Sequence, residues 1–307
     1  MRTTELRRAL SRQRIEWPTL FALVGCYAVW CAATAFSQEL GFFWWAAAAV
    51  AACFHASLQH EVLHGHPTRN AALNEALVFP ALSVLYPYRR FKWMHLKHHN
   101  NPLLTDPYDD PESWYVAEGD HGHMGPVLRV LLDFNATFAG RLIIGPWLGF
   151  FGFARSDWRK IRAGDQKVLG QWLLHIPALA VVIAWLVWVG VPLWLYLVAV
   201  VWPAHALLAV RTYIEHRAEA APEHRSAIVE AEWPFRLLFL NNSLHALHHE
   251  RPSVPWYRLP RLYDAEREAA QMRNGGYVVK GYWSVLQAYL FKRREPVVHP
   301  YRRRSGG

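Results

Sequence analysis

Cysteine is scarce in this chain, and positive charge is missing from two long stretches. Three cysteines, Cys26, Cys31 and Cys53, in 307 residues exclude a disulfide framework or a thiolate-rich metal site. All three fall in apolar segments away from the histidines and read as core filler. None of the 33 Lys and Arg residues lies within positions 15–68 or 168–210, an absence that a soluble surface does not tolerate and a bilayer demands. Low-complexity tracts, a soluble second domain and any internal repeat beyond a pair of apolar hairpins are also lacking. The N-terminus has no short apolar core with a small-residue cleavage site, so no cleavable signal peptide is expected.

The charge-free stretches hold apolar segments of about 20 residues, which at about 1.5 Å per residue cross a hydrocarbon core of about 30 Å. The expectation is an all-α integral membrane protein with four transmembrane helices, at about 17–37, 42–59, 169–189 and 193–210. Gln38-Glu39-Leu40-Gly41 and Gly190-Val191-Pro192 would close them into two hairpins. Arg2, Arg7, Arg8, Arg12 and Arg14, the central Arg89, Arg90, Lys92, Lys97, Arg155, Arg159, Lys160 and Arg162, and the basic C-terminal third leave both hairpin tips without a cation. The positive-inside rule then puts both termini and a helical cap, 60–168 with 211–307, on the cytoplasmic side. The whole chain, 1–307, reads as one multi-pass domain, in the inner membrane if the source is bacterial. Trp44, Trp45, Trp188 and Trp194 flank the tips, where an aromatic belt is expected. Two more apolar stretches, 71–88 and 142–154, carry Glu75 and Pro80, and Gly145, Pro146 and Gly149. A single crossing by either would part the histidines, so both read as re-entrant or interfacial. The net charge of +9 is distributed as topology signals and lipid contacts, which argues against nucleic acid as a partner.

Histidine is what the chain has in excess, 17 residues in all. His95/His98/His99 and His245/His248/His249 repeat the pattern His-x-x-His-His, and His60-x-x-x-His64 stands upstream. Chance would supply about 0.05 such triplets but about one His-x-x-x-His, so the doubled triplet carries the signal. Residues three and four apart share a helix face, so each motif aims its rings the same way. Neutral imidazole suits iron, zinc, copper or nickel, and eight rings exceed the needs of one ion. His60 and His64 leave the inner end of the second span, and His216 follows the end of the fourth. With both triplets in the cap, nine rings can converge just above the membrane. Around them, Glu215 reads either as a carboxylate behind a ligand ring or as a salt-bridge partner of Arg211 or Arg217. Asn241 and Asn242, four and three residues before His245, read as direct or water-mediated ligands or as a helix cap. His205 lies about three turns below His216, lining a substrate passage or making an interhelical hydrogen bond. His55 and His175 read as hydrogen-bonded core, His66 as a loop residue, and His121 and His123 as solvated.

His60-Glu61-Val62-Leu63-His64 also matches His-Glu-x-x-His, in which two histidines bind zinc and the glutamate is a general base. A membrane zinc metalloprotease is therefore a second class of reading, although it leaves six or more clustered histidines without a role.

Taken together, the three histidine boxes and the isolated His216 resemble the membrane fatty acid desaturase superfamily, which includes carotenoid ketolases and hydroxylases and alkane hydroxylases. The likeness runs from about Phe54 to Leu262 and takes in Thr105-Asp106-Pro107, Asp109-Asp110-Pro111 and the run from Pro252 to Pro260. It implies a non-haem di-iron centre, O2 as co-substrate and two electrons supplied from outside. It carries over His60, His64, His95, His98, His99, His216, His245, His248 and His249 as iron ligands, with no catalytic side chain beyond the metal centre. The activity implied first is desaturation of the fatty acyl chains of membrane lipids. Hydroxylation or ketolation of a carotenoid or other hydrocarbon is the alternative at the same centre. His299-Pro300 lacks the glycines of a fused cytochrome b5, so a separate carrier of ferredoxin, rubredoxin or cytochrome b5 type is expected to dock on the basic face.

Overall fold

Four helices long and apolar enough to cross a membrane run over Trp17–Ala35, Phe42–Leu63, Gln166–Trp188 and Leu193–Thr212. They belong to a computed structural model that describes residues 14–37 and 41–301. The N-terminal arginines through Arg12 and the Gln38-Glu39-Leu40 stretch lie outside the described residues. The second helix continues past the apolar limit at 59, because the helical ladder does not need apolar side chains and Gln59, His60 and Glu61 are buried by protein. The fourth helix is interrupted by a π-helical turn, Leu197–Val201, just before Trp202–Thr212. Pro203 accounts for the widening, since it has no N–H to donate and its ring crowds the carbonyl one turn back.

The spans approach closely through small residues, with Ala48, Ala49, Ala51 and Ala52 all buried. Polar side chains then tie them together: Cys26 Sγ donates to Ala51 O at 3.3 Å, Trp30 Nε1 to Tyr196 Oη at 2.9 Å, and Trp185 Nε1 to Thr34 Oγ1 at 2.9 Å. Large apolar side chains such as Phe21, Val24, Val187 and Trp188 remain exposed on the outer faces, as a lipid-facing surface requires.

The stretch read as re-entrant contains the helix Ala71–Leu77 followed by irregular chain as far as the helix Tyr88–His99. Buried carbonyls in an irregular segment need donors, and side chains of the spans provide them. Tyr27 donates to Leu77 O, Gln59 to Val78 O, Tyr196 to Leu82 O and His175 to Val84 O, at 2.7–3.2 Å. His205 lies 3.4 Å from Ser83 O. Residues 142–154 fall mainly in one helix, Gly145–Arg162, which continues well past the apolar part.

One feature departs from an all-helical fold. Ile228–Val229 pairs in parallel with Val278–Val279, two short β-branched runs suited to extended backbone. The segment anchors the third histidine box, with Val229 N donating to Ser243 O and Ala246 N to Ala227 O.

The second box is held by a buried ion pair. Arg90, on Tyr88–His99, makes two bonds to Asp157 of Gly145–Arg162 through Nε and Nη2, each near 3 Å, and Trp172 Nε1 donates to the same carboxylate. Both charged residues are at most 2% exposed. Asp157→Ala strands the guanidinium and is expected to cost about 3–5 kcal/mol, read as a lower thermal midpoint of the purified protein in detergent. Arg90→Met combined with Asp157→Leu should recover most of that loss.

Candidate metal centre

The rings of all nine histidines meet, and they divide into two groups. His60, His64, His95, His99 and His248 form one, and His98, His216, His245 and His249 the other, with the closest ring nitrogens of each group within 4.8 Å of one another. The groups adjoin, since the rings of His99 and His249 stack at 4.1 Å.

Helix geometry makes this division. A residue three positions on is rotated by about −60° and one four positions on by about +40°. In the box on Tyr88–His99, His95 and His99 share a group and His98 turns to the other. In the box on His245–Glu250, His245 and His249 share a group and His248 turns away. Each box thus serves both groups, whereas its spacing alone had suggested three rings aimed one way. His60 and His64 come from the end of the second span. His216 is fixed by an antiparallel bridge to Ser226.

The nitrogens that face inward are the Nε2 atoms. His98 Nε2 and His216 Nε2 are 3.0 Å apart, His245 and His216 2.9 Å, His249 and His245 3.1 Å, and His248 and His99 3.2 Å. Nε2 of His60, His64 and His95 is buried without a hydrogen-bond partner.

Several outward Nδ1 atoms are occupied instead. His98 Nδ1 donates to Asp110 Oδ1 at 2.7 Å and His95 Nδ1 to Glu112 Oε1 at 2.9 Å. His245 Nδ1 lies 3.2 Å from Asn242 Oδ1 and 3.5 Å from Glu215 Oε1, and His216 Nδ1 lies 3.3 Å from Ser226 Oγ. A proton on Nδ1 leaves a lone pair on Nε2. Several such lone pairs about 3 Å apart repel unless a cation lies among them. That spacing is also what neighbouring imidazoles adopt around one ion with bonds of about 2.1 Å. The donor set, its orientation and the buried unpartnered nitrogens therefore fit a pair of metal ions held by nitrogen alone.

The electrostatics agree. Burial first, then the neighbouring rings, hold the pKa values of His64, His99, His216, His245, His248 and His249 below the usual imidazole range. Those rings are neutral at pH 7 and need shed no proton to bind a metal. For His98 burial opposes the charge, but Glu112 and Asp110 prevail and raise its pKa. Burial favours a protonated Glu112, yet His95 and His98 outweigh it and keep the carboxylate low.

Glu215 plays both parts read for it. Its carboxylate pairs with Arg211 at 2.7 Å and lies beside His245. Asn242 backs the same ring, whereas Asn241 donates to Trp256 O at 3.1 Å, away from the rings, and adopts a positive φ of 54°. Glu61 turns away from His60 and His64: it accepts from Trp256 N at 3.0 Å and groups with Glu16 and His66. The His-Glu-x-x-His reading therefore loses its general base. His66, read as a loop residue, is buried against Glu16 at 2.8 Å. Asp110 enters the sequence reading only within Asp109-Asp110-Pro111, with no role of its own, and Glu112 does not enter it. The signal was a run of carboxylates shortly after the second box, but such runs are common on surfaces.

Four helices long and apolar enough to cross a membrane, with two adjoining groups of histidines that could each hold a metal ion, define the class to which this chain is to be compared. The chain belongs to the fatty acid desaturase family, whose model, described as Fatty acid desaturase, matches residues 40–281. It is an enzyme of the oxidoreductase kind. It is also similar to two proteins named Beta-carotene ketolase from strains of Paracoccus. One is 29% identical over 222 residues and the other 26% over 223, in each case covering 67% of this chain and 70% of the relative.

Asp110 also accepts from Thr105 N and Glu112 N, so it orders the loop as well as the ring of His98. Removing a carboxylate behind a ligand typically costs 10–100-fold in metal affinity, and Asp110→Ala should lose roughly that in chelator competition read by elemental analysis. Unchanged affinity in the folded variant would mean that Asp110 serves the loop alone.

Proposed function

We propose that the protein desaturates the acyl chain of a membrane lipid, using O2 and two electrons from a separate carrier, at two iron ions held by the two histidine groups. The observation that carries this reading is a cavity of about 760 Å³ that borders both histidine groups. His60, His95, His216 and His245 line one part of its wall, and Tyr86, Phe91, Leu148, Phe153 and Leu208 line another. That size suits an extended ligand, and the wall joins apolar and aromatic side chains to charged ones such as Glu112, Arg141 and Glu295.

Bound there, the iron pair supplies the capacity to activate O2 and take hydrogen from an unactivated C–H bond. Across the reaction, O2 gains four electrons and becomes two waters. Two electrons and two protons come from adjacent C–H bonds, whose loss leaves the double bond, and two electrons come from the carrier with two protons from solvent. The chain's own part is to hold and exclude. Asp110, Glu112, Asn242 and Glu215 fix the ring orientations, and nitrogen ligation presents no thiolate for an oxidant to attack. The apolar wall keeps water from the acyl chain, while His205, which touches Tyr86 at 5.4 Å between ring centroids, narrows the passage beside it.

The membrane arrangement belongs to the same proposal. In it the spans form two hairpins, and the described segments outside them make a cytosolic cap rich in Arg89, Lys92, Lys97, Arg155 and Arg159. An acidic carrier of ferredoxin, rubredoxin or cytochrome b5 type would dock there by charge complementarity.

The similar ketolases favour a second reading, ketolation or hydroxylation of a carotenoid, which shares the first hydrogen abstraction. An acyl lipid is preferred because Arg141, Lys160 and Arg294 also line the cavity, and a pure hydrocarbon gains nothing from cations.

Expression in a host lacking the activity, with mass spectrometry of total lipids and pigments, distinguishes the two. New unsaturated acyl chains are expected; keto or hydroxy pigments would move the assignment to the second reading. His98→Ala should reduce product to background while the protein still inserts. Active protein should carry two irons per chain, and one zinc with no iron would falsify the di-iron proposal.

A further inference from the structure

One of the cations in the cavity wall is held by aromatic rings and a backbone carbonyl. Arg141, on the helix Phe138–Ile143, is only 7% exposed. Its guanidinium lies 3.7 Å over the Trp114 ring and 5.7 Å from that of Tyr213, and its Nε donates to Asn135 O at 3.3 Å. Among the described residues it makes no ion pair, and it lines the cavity.

The acids that share this wall are engaged elsewhere: Asp157 with Arg90, Glu112 with His95, Asp110 with His98, Glu215 with Arg211, and Glu295 as acceptor from Tyr115 Oη. The nearby charge is another cation. Arg294 donates to Tyr277 Oη and to His216 O, both at 2.6 Å. The neighbouring backbone also leaves room for the arginine, since a Cβ at Gly145 would come within 2.9 Å of Arg141 Cδ.

We propose that Arg141, supported by Arg294, is an anion-binding subsite that holds the phosphate or carboxylate of an acyl lipid and thereby sets how far the chain reaches towards the histidine groups. This rests on the acyl-lipid reading above. The chemistry is that of a guanidinium fork, which meets either anion through paired N–H bonds. Stacking on Trp114 holds the plane of the fork, and a fixed head group makes the position of attack a distance counted along the chain. Burial, then repulsion from Arg294, push the pKa of Arg141 down to about 9. An anion beside it relieves both.

The test uses the purified full chain in a non-ionic detergent and three probes of equal chain length: a lysophosphatidic acid, a fatty acid and a neutral monoacylglycerol. Calorimetric titration should show at least one anionic probe binding roughly tenfold or more tightly than the neutral one, and which one it is separates phosphate from carboxylate. Arg141→Gln should remove that preference and leave affinity for the neutral probe unchanged, and Arg141→Lys should restore part of it. Equal affinity of the unaltered protein for all three probes overturns the proposal, as does a preference that survives Arg141→Gln. The first of these outcomes needs no variant to fold. Binding is read without turnover, so its failure leaves desaturation standing, and absence of oxidised lipid beside an intact anion preference would count against the activity instead.

Discussion

Nine imidazoles turned so that their Nε2 atoms face one another form the constraint around which this part of the molecule is arranged. The rings cannot satisfy one another fully, because a close pair of Nε2 atoms shares at most one proton and Nε2 of His60, His64 and His95 is buried without a partner, which costs free energy unless a cation lies among them. The hydrogen bonds behind the rings make this orientation hold. Asp110 and Glu112 fix two rings of the second box, and Asn242 with Glu215 fixes His245. The carboxylates that orient the nitrogens also offset the positive charge that a metal brings into a region with little water.

A second constraint follows from placing such a centre at the end of membrane-length helices. The chain between the second span and the second box contains irregular backbone, and buried carbonyls need donors. Tyr27, Gln59, His175, Tyr196 and His205 all point at residues 77–84. This gives one physical account of polar residues that would otherwise look costly inside apolar helices. It also shapes the cavity, because the secured segment passes through Ser83 and Tyr86, both part of its wall.

Charge in that wall has two uses. Arg90 and Asp157 pair with each other, with Trp172 as a second donor to the carboxylate, and pin the second box to the helix Gly145–Arg162. Arg141 has an aromatic support and, among the described residues, no ion pair, which is why the proposed anion subsite is placed there. Membership in the fatty acid desaturase family makes the chain an enzyme of the oxidoreductase kind.

The spans were legible in the sequence because each depends on a local run of apolar residues long enough for a bilayer. Eight of the histidines were legible from their three- and four-residue spacing, and His216 from its place just beyond the fourth span. Which ring joins which group was not legible: the roughly 100° between the i+3 and i+4 positions acquires meaning only when two such helices and His216 face one another. Glu61 illustrates the same limit, since its spacing matches a general base, yet the packing of Trp256 and Glu16 turns it away from the rings. Asp110, Glu112 and Arg141 are ordinary charged residues in the sequence. Their roles arise from burial and from which partner is or is not within reach, and long-range packing alone decides both.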